Sequence, residues 1–76
     1  MKVRVHIMLK KDVLDPQGEA VRHALKNIGF DEVKRVRQGK VIDLEVDDGT
    51  EKNRIDQMCE DLLANTIIES YTIDME

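Results

Sequence analysis

The chain has 76 residues, with twelve basic and sixteen acidic side chains, a net charge of −4 and one cysteine. This length predicts one small domain over residues 1–76 and excludes a multisubstrate enzyme with separate nucleotide and substrate domains. The acidic balance argues against nucleic acid as a partner. No apolar run approaches the roughly 20 residues of a membrane span, and the charged N-terminus lacks a signal peptide's apolar core. We therefore expect a cytoplasmic protein with no membrane partner.

The first half of the sequence predicts a strand followed by a helix. Residues alternate between apolar and polar from Val3 to Leu9, as in a half-buried strand. A helix should begin at Asp15-Pro16, since Asp15 can accept hydrogen bonds from first-turn amides and proline fits the first helical position. Gly29 is expected to end it. The apolar positions that should cover one face of the sheet are Ala20, Val21, Ala24, Leu25 and Ile28.

The second half predicts a hairpin, a second helix and a last strand. Residues 33–37 and 41–46 should form two strands joined at Gln38-Gly39. Residues 48–50 can cap the second helix, which Asn65 should end. The last strand alternates again, with Glu69 as its one misfit. The predicted inward positions are Ile42, Leu44 and Val46 in the hairpin, Ile55, Met58, Cys59, Leu62 and Leu63 in the helix, and Ile67, Tyr71, Ile73 and Met75 in the last strand.

The predicted order is β-α-β-β-α-β, an α+β fold in which two helices lie on one face of a four-stranded antiparallel sheet. A core of this size is marginal, and the exposed sheet edges offer places where another chain can pair. We therefore expect the chain to assemble as a dimer or a higher oligomer.

The sequence lacks motifs for catalysis. It contains no phosphate-binding loop, dinucleotide fingerprint, paired thiols or zinc-protease motif. His6 and His23 lie off the apolar stripes, which favours surface or interface histidines over general bases. Cys59 lies within an apolar stripe beside two acidic residues, which favours a buried, unreactive side chain. We therefore expect no catalytic, cofactor or metal residue on this chain.

Gly18 in the first turn of helix one needs an explanation, because glycine there costs about 1 kcal/mol relative to alanine. Either the backbone must let another chain or a ligand approach closely, or the turn is merely irregular. A phosphate bound at the amides of residues 15–18 is disfavoured, since Asp15 would repel it.

The charges are segregated along the chain. Residues 1–40 carry ten basic and five acidic side chains, a net of +5, whereas residues 41–76 carry two and eleven, a net of −9. Four basic side chains crowd onto the predicted hairpin: Lys34, Arg35, Arg37 and Lys40. Either cross-strand pairs with Asp43, Glu45 and Asp47 neutralise them, or they steer the docking of an acidic protein surface.

Several motifs together resemble a known family. They are V-L-D-P-Q-G at residues 13–18, R-x-G-K at residues 37–40 and L-L-A-N at residues 62–65. The whole chain resembles PurS, the small subunit of phosphoribosylformylglycinamidine synthase, although Thr66 stands where that family usually has proline. The candidate family-motif or partner-contact residues are Asp15, Pro16, Gln17, Gly18, Arg35, Arg37, Gly39, Lys40 and Asn65.

The resemblance implies a non-catalytic accessory subunit of an ATP-dependent carbon–nitrogen ligase in purine biosynthesis. A glutaminase subunit would release ammonia, and a large synthetase subunit with ATP and Mg²⁺ would use it to aminate formylglycinamide ribonucleotide. The small subunit, as a homodimer or tetramer, would bridge the two and bind no cofactor itself. The alternative is a small-metabolite-sensing dimerisation module, by analogy of fold. A small phosphatase is disfavoured because residues 10–12 lack the arginine that such a site needs.

Overall fold

The computed structural model describes residues 1–75 as a small sheet with helices connecting its strands. Its elements are β1 (Lys2–Leu9), α1 (Pro16–Asn27), β2 (Gly39–Glu45), α2 (Lys52–Met58), a π-helical turn (Cys59–Leu63) and β3 (Glu69–Met75). The sheet is antiparallel with the order β2-β1-β3. None of the helices within residues 1–75 has the length and apolar character to cross a membrane.

The central strand β1 supplies half of the buried core. Val5, opposite Ile42 on one side and Ile73 on the other, is completely buried. The alternation predicted from Val3 to Leu9 is confirmed, because the odd positions face α2 and the even positions face away. The core residues are Val3, Val5, Ile7, Ile55, Cys59 and Ala64.

The predicted four-stranded sheet is wrong, because residues 33–37 form no strand and make no hairpin. Strand β2 begins at Gly39 and pairs with β1 instead. The backbone amide of Gln38 donates to the Asp15 carboxylate at 2.8 Å. This contact holds the end of the 33–38 segment against the start of α1, so the segment does not lie along β2.

The helix α1 has the predicted bounds but not the predicted packing. Asp15 is its N-cap and Pro16 its first residue, as predicted, and Gly29 follows it with a positive φ of 104°. Gly18 is its only buried residue, and Ile28 is 70% exposed. The prediction that this helix covers the sheet is therefore wrong for the single chain.

The chain is elongated because α1 projects from the sheet. Its Cα radius of gyration is 15.7 Å, whereas a compact chain of this length would give about 11 Å. We call residues 10–38 the α1 arm; it comprises a loop, α1 and the returning segment. The arm leaves the sheet after β1 and rejoins it at β2.

The second helix covers β1 but differs from the prediction at both ends. Its N-cap is Glu51, which makes no capping hydrogen bond, rather than one of residues 48–50. It ends in the π-helical turn at Leu63, where the Ala64 amide donates to the Cys59 carbonyl at 2.9 Å. The wider turn changes the directions of the side chains within it from those of an α-helix. Leu62 is consequently 83% exposed, and its predicted place in the core is wrong.

The last strand begins at Glu69, so Ile67 lies outside it and is exposed, against the prediction. Tyr71, Ile73 and Met75 are half-buried against the core, as predicted. The phenol of Tyr71 shares its one proton between Asp56 of α2, at 3.3 Å, and Glu60 of the π-helical turn, at 3.2 Å. Burial and the hydrogen bond to Glu60 raise its pKa to about 12. Tyr71 therefore stays a neutral donor that ties β3 to α2.

The buried thiol of Cys59 generates the first prediction. Burial, with the nearby charges of Asp56 and Glu60, raises its pKa, so little reactive thiolate forms. We expect slow reaction with thiol reagents until the protein is denatured. Cys59→Ser should lower the free energy of unfolding by about 1–3 kcal/mol, since it buries a poorly paired hydroxyl.

The matched control is Leu62→Ser, on the exposed side of the same π-helical turn, which should change the free energy of unfolding much less. Urea denaturation measures the free energy of unfolding, and a timed thiol assay measures the reaction rate of Cys59. Labelling of the native protein as rapid as that of the denatured protein would contradict the placement of Cys59.

Candidate functional site

Most of the motif residues meet where the α1 arm joins the sheet. The start of α1, the start of β2 and the start of β3 lie side by side there and enclose a cleft of about 350 Å³. We call it the junction cleft. Its lining residues are Ile7, Leu9, Asp15, Gln17, Gln38, Gly39, Lys40 and Glu69.

Asp15 links α1 to the segment that enters β2. One carboxylate oxygen, Oδ1, accepts from the Gly18 amide at 2.9 Å, and Oδ2 accepts from the Gln38 amide at 2.8 Å. These hydrogen bonds, first that from Gln38, and the charge of Arg37 hold the pKa of Asp15 below its ordinary value. The carboxylate therefore stays ionised at neutral pH and serves two backbone amides at once.

Gly18 lets the returning segment approach the helix. A Cβ at this position would lie 2.5 Å from the Val36 carbonyl oxygen and 2.6 Å from Asp15 Oδ2. The close approach that the sequence left open is thus explained within the chain itself, by residues 15 and 36.

Arg37 also acts within the chain. Its Nη2 donates to the carbonyls of Leu9 at 2.6 Å and Lys10 at 3.0 Å, and its Nη1 donates to that of Lys11 at 3.4 Å. These carbonyls follow one another where β1 ends and the arm begins. One guanidinium therefore satisfies three consecutive acceptors at the point where the arm leaves the sheet.

The R-x-G-K motif continues into the floor of the cleft. A Cβ at Gly39 would lie 2.5 Å from the Ile7 carbonyl oxygen, so β2 starts in close contact with β1. Lys40 Nζ lies 3.8 Å from Glu69 Oε2, across the apolar face of the sheet. The Asn65 amide donates to the other carboxylate oxygen of Glu69 at 2.7 Å.

Glu69 is the site residue that the candidate set lacks. Its side chain is only 17% exposed, and it joins Lys40 to the L-L-A-N motif. The sequence pointed to Glu69 through one feature, a charged side chain at an inward position of the predicted last strand. A buried charge needs partners, so the misfit itself pointed to an ion pair.

The remaining candidates lie around or outside the cleft. Gln17 Oε1 accepts from Gln38 Nε2 at 3.3 Å, and Asn65 Oδ1 accepts from the Ile67 amide at 3.3 Å. Pro16 is exposed at the first helical position. Arg35 is exposed on the arm and makes no hydrogen bond or ion pair with residues 1–75.

The hairpin charges are not neutralised as the cross-strand alternative predicts. Asp43 accepts from Arg4 Nε at 2.8 Å, which holds the pKa of Asp43 low, and Lys40 pairs with Glu69. The basic side chains at positions 34, 35 and 37 pair with none of Asp43, Glu45 and Asp47 in the described chain. The pairing alternative is therefore wrong, since no hairpin forms.

The histidines lie away from the junction cleft. His6 Nε2 is 3.1 Å from Asp74 Oδ2 on the polar face of the sheet, and His23 Nε2 is 3.7 Å from Glu19 on α1. Within residues 1–75 no three His, Cys, Asp or Glu side chains are grouped so as to hold a metal ion. Among the ionised side chains of the cleft, Lys40 pairs with Glu69, and Asp15 accepts from backbone amides. These contacts fix the backbone around the cleft.

Comparisons with known proteins place these motifs in one family. Residues 2–76 match the family model PurS, phosphoribosylformylglycinamidine (FGAM) synthase. The PurS subunit of Bacillus subtilis is 47% identical over 77 residues, which cover 99% of this chain and 92% of that protein.

Two solved structures extend the likeness. PurS of Methanocaldococcus jannaschii, a subunit of formylglycinamide ribonucleotide amidotransferase in the purine biosynthetic pathway, superposes with a TM-score of 0.88 at 42% identity and covers 99% of this chain and 94% of its own. A chain of PurLQS from Thermotoga maritima has a TM-score of 0.82 at 31% identity, over 96% of this chain and 93% of that chain.

The tight packing at Gly18 generates a second prediction. On helix propensity alone, Gly18→Ala should stabilise α1 by about 1 kcal/mol. Because the new methyl group would overlap the Val36 carbonyl and the Asp15 carboxylate, we expect a lower melting temperature instead. Asn27→Ala, exposed in the last turn of the same helix, is the control and should leave stability unchanged or slightly higher. A melting temperature for Gly18→Ala above that of the wild type would show that the contact is loose.

Proposed function

The chain belongs to the PurS family of FGAM synthase subunits, and we propose that it is the non-catalytic subunit that bridges the glutaminase and synthetase subunits of this ligase. The observation that carries the proposal is the family match over residues 2–76. A PurLQS structure from T. maritima contains a chain of the same fold, which supports association with the other subunits.

The chemistry of the junction cleft supports a subunit without catalytic residues. Asp15, Lys40 and Glu69 are each engaged by groups of the chain itself. A general base needs a free partner position for the proton that it removes. In this proposal ATP and Mg²⁺ bind to the synthetase subunit, and this chain binds neither. Its contribution is to align two active sites so that ammonia from glutamine reaches the acceptor.

We also propose that the subunit is a homodimer or tetramer. The arm leaves large apolar side chains exposed at Leu14, Val21, Ile28 and Phe30. Several sheet residues, such as Ile42 and Leu44, are only half-buried against the core. A second copy would let the exposed side chains of one arm cover the other's open sheet face, which removes apolar area from water on both.

The metabolite-sensing alternative would place its small molecule in a cleft such as the junction cleft. A small-molecule site presents a few convergent polar groups with free hydrogen-bonding capacity. The charged side chains that line this cleft are instead paired with one another or with backbone amides. The bridging role therefore accounts for the described residues better.

Reconstitution with the two enzyme subunits tests the function directly. We expect glutamine-dependent FGAM formation to require this chain, and ammonia-dependent formation by the synthetase subunit alone to proceed without it. The coupled enzyme assay is run with each nitrogen source, with and without the chain. Equal glutamine-dependent rates in its presence and absence would reject the bridging role.

Light scattering of the isolated chain tests self-association. We expect a mass of at least twice the 8.8 kDa of one chain at micromolar concentration. A mass of one chain across that range would contradict the proposed oligomer. The exposed side chains of the arm would then be available for contact with the other subunits.

Arg35 remains the candidate for electrostatic docking. We expect Arg35→Gln to weaken complex formation and to flatten its salt dependence, because exposed charges act on association and are screened over about 8 Å at physiological ionic strength. The melting temperature should not change. The control is Arg54→Gln, exposed on α2 and outside the α1 arm. Equal salt dependence for wild type and Arg35→Gln would exclude the docking role.

A further inference from the structure

The direction of the α1 arm depends on polar contacts. Because α1 shares no extensive packing with the sheet and buries only Gly18, apolar burial does not hold it in place. Asp15 accepts from the amide of Gln38, the residue before β2, and Arg37 donates to the carbonyl of Leu9 at the end of β1. The Lys10 amide adds a backbone hydrogen bond to the Ile68 carbonyl, just before β3.

We infer that Asp15 and Arg37 are positioning residues that set the direction of the α1 arm, and that this direction governs assembly of the ligase. The inference rests on the proposed bridging function and assigns these two motif residues a role within the chain rather than at a partner contact. The arm presents its apolar side chains to a second copy of the chain only if it leaves the sheet at the right angle.

Asp15 fixes that angle from the helix side. Its two carboxylate oxygens serve different parts of the backbone, the first turn of α1 through Gly18 and the entry to β2 through Gln38. The segment at residue 36 lies against Gly18, so the helix start and the returning segment are in direct contact. A rotation of α1 about its first turn would break one of the two hydrogen bonds.

Arg37 fixes the same angle from the sheet side. It follows the residue that contacts Gly18 and reaches back to the carbonyls of residues 9–11. The segments in which the chain leaves the sheet and returns to it are thereby held together at Arg37. Asp15 and Arg37 together therefore fix the direction of the arm relative to β1.

Asp15→Asn separates positioning from helix capping. Asparagine caps helices about as well as aspartate, so the hydrogen bond from Gly18 can persist. Its amide nitrogen, however, would face the Gln38 amide, donor against donor. The variant therefore keeps the helix and loses the link to β2. The matched control is Glu19→Gln, a carboxylate in the same turn whose hydrogen bond and ion pairs go to Arg22 and His23 of α1.

The test measures the arm's direction and the consequence for assembly separately. Spin labels on Lys26→Cys in α1 and Thr72→Cys in β3, both exposed positions, give an intramolecular distance distribution when labelled protein is diluted with excess unlabelled protein. Native Cys59 is buried and should not be labelled. Titration of each variant into fixed glutaminase and synthetase subunits then gives the concentration for half-maximal glutamine-dependent turnover.

We expect Asp15→Asn to broaden the distance distribution and to raise the half-maximal concentration about tenfold, as when the competent fraction falls to about a tenth. Glu19→Gln should match the wild type in both. Arg37→Lys keeps the charge but lacks the planar fork of donors that Arg37 uses, so it should behave like Asp15→Asn. It replaces Asp15→Asn in the test if that variant is unstable. Ammonia-dependent turnover should stay constant throughout.

A distance distribution of wild-type width in Asp15→Asn and Arg37→Lys would overturn the inference. A broadened distribution with unchanged titration would also overturn it, because direction would then not govern assembly. If the wild-type chain gave no glutamine-dependent turnover, the proposed function would fail, while the distances would still decide whether these residues direct the arm.

Discussion

The burial of one face of β1 is the constraint on which the rest of the structure depends. Val3, Val5 and Ile7 are buried between two flanking strands and the helix α2 with its π-helical turn. That helix and turn are enough to cover this strip but not the whole face, so Ile42 and Leu44 stay half-buried. A chain of this size buries about 60% of its surface at best, and here part of its apolar content is held out on the arm. The apolar side chains exposed on the arm therefore add nothing to the core of the single chain, although they are available for contact with another chain.

The attachment of the arm shows how a small protein can hold an element without a core beneath it. Apolar packing is non-directional, whereas hydrogen bonds to ionised groups are short and strong and can be geometrically specific. Asp15 accepts from two backbone amides that lie on different segments, and Arg37 donates to three consecutive carbonyls where β1 ends. The glycines at positions 18 and 39 bring those segments close enough for this to work. A few polar contacts therefore hold α1 in position, as a buried apolar interface does for a helix packed on a core.

Sequence patterns correctly predicted the features that depend on neighbouring residues along the chain. The alternation along β1, the Asp15-Pro16 start of α1 and the buried Cys59 were all correct. The errors lie where a distant contact prevails: residues 33–37 have strand-like composition, yet the Asp15 contact at Gln38 holds the segment's end at α1. The π-helical turn that exposes Leu62 has no marker in the apolar spacing. In the site, glycine at 18 left open an approach by another chain or a ligand, or an irregular turn, and the structure shows that the chain's own residue 36 approaches it.

The length of α1 gives its attachment a mechanical meaning. Twelve residues at 1.5 Å each make a rod of about 18 Å. Tilting such a rod by about 10° at its base carries its tip through roughly 3 Å, close to the spacing of neighbouring Cα atoms. A change of a few tenths of an ångström in the hydrogen bonds at the base of α1 therefore becomes a larger displacement at its far end. Substitutions at Asp15 or Arg37 should move the C-terminal end of α1 more than the residues beside them.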